Sequence, residues 1–260
     1  MDRPALIVVA FREDAPSDVE ALLPCLVSLR TTAPETQVLL VEDRAPGGPS
    51  LAEAAAEELG CVYVDQDDGA GLVAAADAGL EVARANGLDA VLVGPDVELL
   101  HAGWLERMQA RTDTQGRPAA VVGGRLLHED GLIAHAGFFF SVLRQRWLDR
   151  FMGVPAEVPE AHAPTLCPVS AQLQLIRNET LHAVGLPDPE LAAPFADLDY
   201  CLRVFDAGLE CIHEPAVAGR RPGAALGPQP DDSEPEIAAR AALSARHPRT
   251  TFNRFIPDVV

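Results

Sequence analysis

Short apolar runs rich in β-branched residues alternate with helix-like segments through the first half of this chain of 260 residues. Such alternation is typical of βαβ units, in which a crossover helix brings successive strands into a parallel sheet. The pattern predicts strands at 5–11, 37–43, 61–65, 89–99 and 119–127, and helices at 18–29, 51–59, 72–86 and 103–111. We therefore expect an α/β fold with a mainly parallel, Rossmann-like central sheet flanked by helices. Ligands of such sheets bind beyond the carboxyl ends of the strands.

The second half has a less regular pattern, in which strand-like, loop-like and helical segments follow one another. Its predicted elements are a strand or hairpin at 131–141, a loop or lid at 144–165, a strand at 169–177, a helical turn at 179–184, a helix at 194–208 and a final helix at 234–246. Residues 219–235 are rich in Gly, Pro and Asp, which predicts a mobile segment before the last helix.

The charge balance excludes several classes of function. The formal net charge is −19, so the whole molecule would repel a nucleic acid or an anionic membrane surface. No stretch approaches the roughly 18 uninterrupted apolar residues of a membrane-spanning helix, and the start of the chain has no signal-peptide pattern. The sequence therefore predicts a cytoplasmic protein without a transmembrane segment.

The basic and sulfur-containing side chains narrow the possible sites further. All 20 basic residues are arginines, so a cationic side chain that binds phosphate here must do so with a guanidinium, which can bind bidentately. The five cysteines are scattered and form no CxxC pair. This spacing predicts buried free thiols, and neither a zinc site nor a disulfide framework.

Five segments, taken in order, carry a resemblance to a known family. They are ALIVVAFRE, LVEDRAP, LVGPDVELLHAGWLERM, DGLIAHAGFFFS and VGLPDPELAAPFADLDYCLRVFDAGLECIHEPAV. Together they resemble the family 2 glycosyltransferases of the GT-A fold, especially the rhamnosyltransferase-like branch that builds polysaccharides. The resemblance implies an inverting enzyme that moves a sugar from a nucleotide-diphosphate donor to a hydroxyl of a saccharide or small molecule.

The same resemblance implies a domain organisation. A GT-A domain would cover residues 1–218, with a nucleotide-sugar half at about 1–127 and an acceptor half at about 128–218. The mobile segment and the C-terminal helix would follow at 219–260.

Relatives bind the nucleotide where their first three strands end. The matching positions are Ala10, Phe11 and Arg12 at the first strand, Glu42 and Asp43 at the second, and Asp68, Gly69 and Gly71 after the third. A carboxylate accepts several hydrogen bonds at once, which suits a base imino hydrogen and ribose hydroxyls. The competing interpretation is that Asp43 only ends a strand and caps a turn. Asp77 stands where relatives commonly carry an asparagine.

The segment PDVELLHAGWL matches the family's Asp-x-Asp region, with Asp96 and Glu98 as the two acids. On an extended segment, residues two apart point to the same side, so both carboxylates can face one ligand. The resemblance implies a divalent cation there, Mn²⁺ or Mg²⁺, with oxygen ligands and a bridging contact to the diphosphate. The competing interpretation is a solvated strand end. Trp104, further along the segment, resembles a packing residue of the family.

The segment FADLDYCLR resembles the acidic start of a helix that carries the family's catalytic base. The resemblance makes Asp197 the base and Asp199 its neighbour, and Arg203 is spaced to pair with Asp199 at i,i+4. Acids at a helix N-terminus also stabilise the helix dipole, which is the competing interpretation. His135 lies where relatives carry a histidine facing the site. It either contacts the sugar donor or the acceptor substrate, or has a structural role.

One position departs from the family pattern. Many relatives carry a histidine that completes the metal site after the strand that follows the acidic helix, and this chain has Arg220 and Arg221 in that window. His213 lies several residues too early to replace it. Either the arginines hold the diphosphate directly, or the metal site is incomplete and the protein is a weakened relative.

Two other classes compete with the enzyme. A catalytically silent module would use the same cleft to bind a nucleotide sugar or to scaffold a partner, and the missing histidine favours it. A nucleotidyltransferase has a similar parallel-sheet organisation but usually carries a Gly-rich basic loop after its first strand. The segment FREDAPSD at this position is not such a loop.

Overall fold

The computed structural model describes residues 3–12, 16–44, 50–66, 70–191, 195–221, 234–247 and 255. Its strands are β1 Ala5–Phe11, β2 Gln37–Asp43, β3 Val62–Gln66, β4 Asp89–Val93, β5 Glu98–Leu99, β6 Val121–His128, β7 Ile133–His135, β8 Phe138–Ser141, β9 Arg146–Asp149, β10 Thr165–Leu166, β11 Leu173–Ile176 and β12 Cys211–Arg221. Its helices are α1 Pro16–Thr32, α2 Leu51–Glu58, α3 Leu72–Ala85, α4 Trp104–Ala110, α5 Asn178–Val184, α6 Phe195–Asp206 and α7 Glu234–Arg246, with a 3-10 helix at Pro159–His162.

The main sheet has the strand order β10, β12, β6, β11, β4, β1, β2, β3, with β5 added to β12 and β7 to β6. The group β3, β2, β1 and β4 is parallel, and β12 is parallel to β6. Between these groups, β11 runs antiparallel to both β4 and β6. The carboxyl ends of β1, β2, β4 and β12 and the amino end of β11 therefore share one edge, which we call the carboxyl edge. The predicted mainly parallel α/β sheet is confirmed.

The two faces of β1 show why its sequence is a continuous apolar run. Ile7 belongs to an apolar layer with Leu26 of α1, whereas Val8 belongs to the opposite layer with Leu80 of α3. A strand covered by helices on both faces needs apolar residues at every position. Helices on both sides thus leave the edges of the sheet as the place for polar chemistry.

The predicted strand at 89–99 is two elements. β4 ends at Val93, and a turn closed by the hydrogen bond from the Val97 N–H to the Gly94 carbonyl (3.0 Å) leads into β5. Pro95 has no N–H to donate to a sheet ladder, which favours a turn at this point. Asp96 consequently lies in the turn, so it does not share an extended segment with Glu98.

The predicted loop or lid at 144–165 contains regular structure. β9 pairs with β8 in a hairpin, the 3-10 helix follows, and β10 joins β12. Pro and charged residues in this stretch concealed the strand in the sequence. It forms because Phe140 pairs with Trp147 across the hairpin in an aromatic contact that stabilises it.

β12 reaches Arg221, so residues 219–221 of the predicted mobile segment belong to a strand of the main sheet, and residues 222–233 lie outside the described residues. The C-terminal helix is confirmed as α7 at Glu234–Arg246. Among the described residues, no helix combines the length and the apolar character needed to cross a membrane.

Candidate active site

Asp43, at the carboxyl end of β2, is buried and connects two loops at the carboxyl edge. Its Oδ2 accepts hydrogen bonds from the Arg12 guanidinium, just beyond β1, and from the Gly71 N–H at 3.1 Å. Gly71 precedes α3 with φ of 99°, a conformation that favours glycine. The buried Oδ1 of Asp43 has no hydrogen-bond partner within the described residues. Buried acceptors are usually satisfied by a donor, so this oxygen is a candidate contact for a ligand.

Glu42 projects to the other side of β2, because successive strand residues alternate. Its Oε2 accepts hydrogen bonds from the Ser50 hydroxyl at 2.7 Å and from the Tyr63 hydroxyl. Ser50 is also the N-cap of α2, and burial followed by the bond to Glu42 raises the pKa of Tyr63. Glu42 thus anchors α2 and β3 to β2.

The other predicted nucleotide-site residues have simpler surroundings. Phe11 is buried in the core beneath the carboxyl edge, and Ala10 is half-buried beside it. Asp68 and Gly69 lie outside the described residues. The structure therefore brings Arg12, Asp43 and the start of α3 together from this set.

Asp197 lies in the first turn of α6 and is buried. Its Oδ2 accepts hydrogen bonds from the Ala171 N–H at 2.9 Å and the Ser170 hydroxyl at 3.1 Å, both just before β11 at the carboxyl edge. Burial raises the pKa of the Asp197 carboxyl, against the lowering effect of these hydrogen bonds and of nearby His135. A carboxylate with a raised pKa is a better proton acceptor than an exposed aspartate.

His135, at the end of β7, connects Asp197 to the β8–β9 hairpin. Its Nδ1 lies 2.5 Å from Oδ1 of Asp149, and its Nε2 lies 3.2 Å from the Ser170 N–H. Because Nε2 accepts that hydrogen bond, the ring proton belongs on Nδ1, where it is donated to Asp149. The histidine therefore fixes the backbone of the residue whose hydroxyl binds Asp197.

Asp199 has different partners from Asp197. The Arg203 Nε donates to Asp199 Oδ2 at 2.8 Å, and Nε2 of His247 lies 3.0 Å from Oδ1. The predicted i,i+4 pairing of Arg203 with Asp199 is confirmed. Burial works to raise the pKa of Asp199, but the hydrogen bonds from His247 and Arg203 outweigh it and lower the pKa. Asp199 is thus held as an ionised anchor for the end of α7.

A cleft of about 540 Å³ lies on the Asp199 side of α6, between that helix, the end of α7 and residues 186–189. Its charged walls are paired with each other: Arg246 donates to Asp188, and Arg203 donates to Asp199. The cleft is therefore an ion-paired contact region between α6 and the end of α7. The acids at the carboxyl edge, Asp43 and Asp197, are not among its lining residues.

Asp96 and Glu98, the expected metal ligands, each pair with an arginine at the end of β12. The Arg221 Nε and Nη2 donate to Oδ2 of Asp96 at 2.9 and 2.6 Å. The Arg220 Nη2 donates to Oε2 of Glu98 at 2.7 Å, directly across the β5–β12 pair. The two arginines expected to replace the family's histidine therefore do lie beside the two acids.

The carboxylates of Asp96 and Glu98 do not fit a divalent cation in this arrangement. Each carboxylate is already neutralised by a guanidinium, whose positive charge would repel a cation at the same oxygen. Within the described part of the chain, no three His, Cys, Asp or Glu side chains form a group that could bind a metal. His213 is buried, and burial, followed by nearby His135 and Arg125, lowers its pKa to about 3.

Several residues of this arrangement escaped the sequence motifs. Ser170 and Ala171 stand in a segment that shows only strand character, and Asp149 lies in the predicted lid. His247 lies beyond the stretch that resembles the family.

The confirmed packing residue Trp104 is buried, and its Nε1 donates to Thr32 Oγ1 at 3.0 Å. The cysteines are free, and four of the five are buried.

No protein-family profile matches the chain. A curated relative, uncharacterized protein y4gI of Sinorhizobium fredii, is 31% identical over 144 residues, which is 52% of this chain and 15% of the relative. The chain thus spans only a small part of that relative's length.

Two solved structures are similar along nearly the whole chain. "Crystal structure of GalNAc-T7 with UDP, GalNAc and Mn2+" matches with a TM-score of 0.68 and 16% identity, over 94% of this chain and 48% of that chain. S. aureus TarS matches with a TM-score of 0.57 and 13% identity, over 94% of this chain and 65% of its residues 1–349. At such identities the likeness shows the fold, which is the GT-A glycosyltransferase fold.

Proposed function

We propose that this protein is an inverting glycosyltransferase of the family 2 type, which transfers a sugar from a nucleotide-diphosphate donor to a hydroxyl of a saccharide or small molecule. The GT-A fold and the order of the five matching segments support the class. The observation that carries the proposal is a pair of buried acids, Asp43 and Asp197, on elements that meet at one edge of the sheet.

In this proposal Asp43 binds the nucleoside. Its unpartnered Oδ1 accepts a hydrogen bond from the base or ribose, while Arg12 and the Gly71 N–H hold Oδ2 in place. A ligand donor is favoured at this oxygen because a buried acceptor without a partner carries a desolvation penalty that the bond removes.

Asp197 is the general base of the transfer. It takes the proton of the acceptor hydroxyl as the acceptor oxygen forms its bond to the anomeric carbon. The bond between that carbon and the phosphate oxygen breaks, and the nucleoside diphosphate leaves with the electron pair. Attack from the face opposite the diphosphate inverts the configuration of the sugar.

The residues around Asp197 position it. Ser170 and Ala171 direct their donors at one carboxylate oxygen, and His135 with Asp149 fixes Ser170 from behind. Such preorganisation keeps the base in a productive orientation before the acceptor arrives. Burial of the base also raises its pKa, which makes it a better proton acceptor than an exposed aspartate.

The divalent cation implied by the family resemblance is not part of this chemistry. The Mn²⁺ in the GalNAc-T7 structure supports a cation in that protein. In this chain Asp96 and Glu98 are paired with Arg221 and Arg220. We therefore assign no step of the transfer to a metal.

The proposal is tested by calorimetric titration with UDP, GDP and dTDP, followed by incubation with the corresponding nucleotide sugars and a panel of saccharide acceptors. We expect one nucleoside diphosphate to bind more tightly than the other two, and its sugar donors to release that same diphosphate with transfer of the sugar. If none of the three binds, the proposal is wrong.

A nucleotide-sugar-binding module without turnover is the second candidate. The specific observation in its favour is that both expected metal ligands are engaged by arginines. Tight donor binding, with neither transfer nor hydrolysis across the acceptor panel, would select this module over the enzyme.

A further inference from the structure

We propose that the Arg221 guanidinium, braced by Asp96, binds the donor's diphosphate and takes the role that the family resemblance assigns to a divalent cation. This inference rests on the proposed function, because it assigns the diphosphate part of the same donor site. It makes donor binding by this protein independent of metal.

The position of the pair within the sheet is the first argument. Asp96 lies in the turn that directly follows β4, and β4 is the neighbour of β1, which leads to Arg12. Arg221 is the last residue of β12, whose carboxyl end lies at the same edge. The guanidinium therefore stands beyond the strand ends, where ligands of open α/β sheets bind.

The hydrogen-bond geometry is the second argument. Asp96 Oδ2 accepts from both Nε and Nη2 of Arg221, which fixes the plane of the guanidinium. A guanidinium has five N–H donors in a rigid fork, and these two bonds use two of them. An arginine oriented in this way presents further donors in a defined plane, which matches the bidentate binding of phosphate oxygens.

The alternation of side chains along β12 distinguishes Arg221 from Arg220. Adjacent strand residues project to opposite faces, and Arg220 faces Glu98 directly across the β5–β12 pair. Glu129, in the turn after β6, contributes to the charge around Arg220. Arg220 therefore stabilises the β5–β12 pairing, and Arg221 faces the turn after β4.

Charge is the third argument. The chain carries a formal net charge of −19, so a diphosphate approaches against a repulsive field and needs a local positive group. The side chains of Arg221 and Asp96 are 29% and 27% exposed, so solvent and ligand can reach the pair.

Asp96 acts as a positioning residue in this arrangement. A metal ligand and a brace respond differently to loss of charge. If Asp96 binds a cation, Asp96→Asn abolishes cation-dependent binding of the diphosphate. If Asp96 only braces Arg221, the same substitution removes a negative charge beside the diphosphate and leaves the guanidinium in place.

The experiment is calorimetric titration of UDP, GDP and dTDP into the full chain, first in excess EDTA and then with Mn²⁺. The variants are Arg221→Gln, Asp96→Asn and Arg220→Gln. Arg3→Gln is the matched control, because Arg3 precedes β1 at the opposite edge and forms an exposed ion pair with Glu179. Thermal melts of each variant verify that it is folded.

We expect the wild type to bind the preferred diphosphate equally well in EDTA and in Mn²⁺. Arg221→Gln should weaken binding by roughly tenfold or more, the loss typical of a charge-assisted hydrogen-bonded contact. Asp96→Asn should bind as tightly as the wild type or more tightly in EDTA, and Arg3→Gln should be unchanged.

Three results would overturn the inference. Binding that requires Mn²⁺ and disappears in Asp96→Asn would restore the cation and leave the proposed function standing. Loss of binding in Arg220→Gln and not in Arg221→Gln would show that Arg220, and not Arg221, contacts the diphosphate. Failure of all three diphosphates to bind in either buffer would remove the proposed function together with this inference.

Discussion

Asp197 and Asp199 lie two residues apart in α6 and, within the part of the chain that the structure describes, share no hydrogen-bond partner. Positions two apart on a helix are separated by roughly 200° around its axis, so the two carboxylates face opposite sides. Asp197 binds Ser170 and Ala171 at the carboxyl edge. Asp199 binds Arg203 and His247 on the opposite side of α6. Burial raises the pKa of the first, and the hydrogen bonds from His247 and Arg203 lower the pKa of the second although burial opposes them. Opposed pKa shifts of this kind are consistent with the proposed roles, a base for Asp197 and a structural anion for Asp199.

The raised pKa of Asp197 predicts the pH dependence of transfer. The base must be ionised, so kcat/KM should fall as the pH decreases through a pKa above that of an ordinary aspartate. The Ser170 hydroxyl bond lowers this pKa, so Ser170→Ala should move the acidic limb of the profile to higher pH. An acidic limb that stays in place in Ser170→Ala would show that another group controls it.

Asp199→Asn should destabilise the protein at neutral pH by about 1–3 kcal/mol, because His247 and Arg203 lose a buried charged acceptor. A lowered pKa stabilises the fold above the pKa of the unfolded group, and this contribution is lost as the pH falls through the lower folded value. The difference between wild type and variant in urea unfolding should therefore shrink in acid. Asp206→Asn is the control: it removes the other contact of His247, from an aspartate whose side chain is 48% exposed, and should have little effect.

Asp77→Asn should stabilise the protein at pH 8. Burial first, together with Asp188 and against Arg203, raises the pKa of Asp77 to about 7. The favourable contribution of the protonated form is complete below the pKa of the unfolded group and is lost as the pH rises through about 7. Discounted for partial solvent screening, the gain from the neutral amide should be about 1–2 kcal/mol at pH 8 and near zero at pH 4. Urea unfolding at the two pH values measures it, and an equal gain at both would contradict the assignment.

Asp43→Asn should weaken binding of the preferred nucleoside diphosphate by about 10- to 100-fold, because a charged acceptor for the nucleoside is lost. The buried Oδ1 and the bonds from Arg12 and Gly71 are the basis of this expectation. Glu81→Gln, on the surface of α3, is the control and should bind normally. Equal affinities for Asp43→Asn and the wild type would remove Asp43 from the donor site.

The fold could be predicted from sequence because its signals are local. The strands that became β1 and β2 are covered on both faces and therefore read as apolar runs with ends visible in the sequence. The same locality failed at β4, where Pro95 turned a predicted single strand into two elements. It failed again at β9, where pairing with β8 outweighs the Pro-rich and charged surroundings.

The site could be predicted only in part, because its contacts join residues far apart in the chain. The motifs identified Asp43, Asp96 and Asp197 and placed Arg220 and Arg221 near the metal window, but which arginine pairs with Asp96, 125 positions from Arg221, was not visible in the sequence. Neither spacing nor composition indicates which acid a distant arginine will neutralise. The bond from His247 to Asp199 has the same character and lies beyond the segment that resembles the family.

The most direct test of the account is the initial rate of sugar transfer by Asp197→Asn, measured with the donor that the wild type prefers. The account predicts a loss of about 10²- to 10⁴-fold, the usual contribution of a general base, with the affinity for the nucleoside diphosphate unchanged. Transfer by this variant at the wild-type rate would contradict the account, because the acceptor proton would then have another destination.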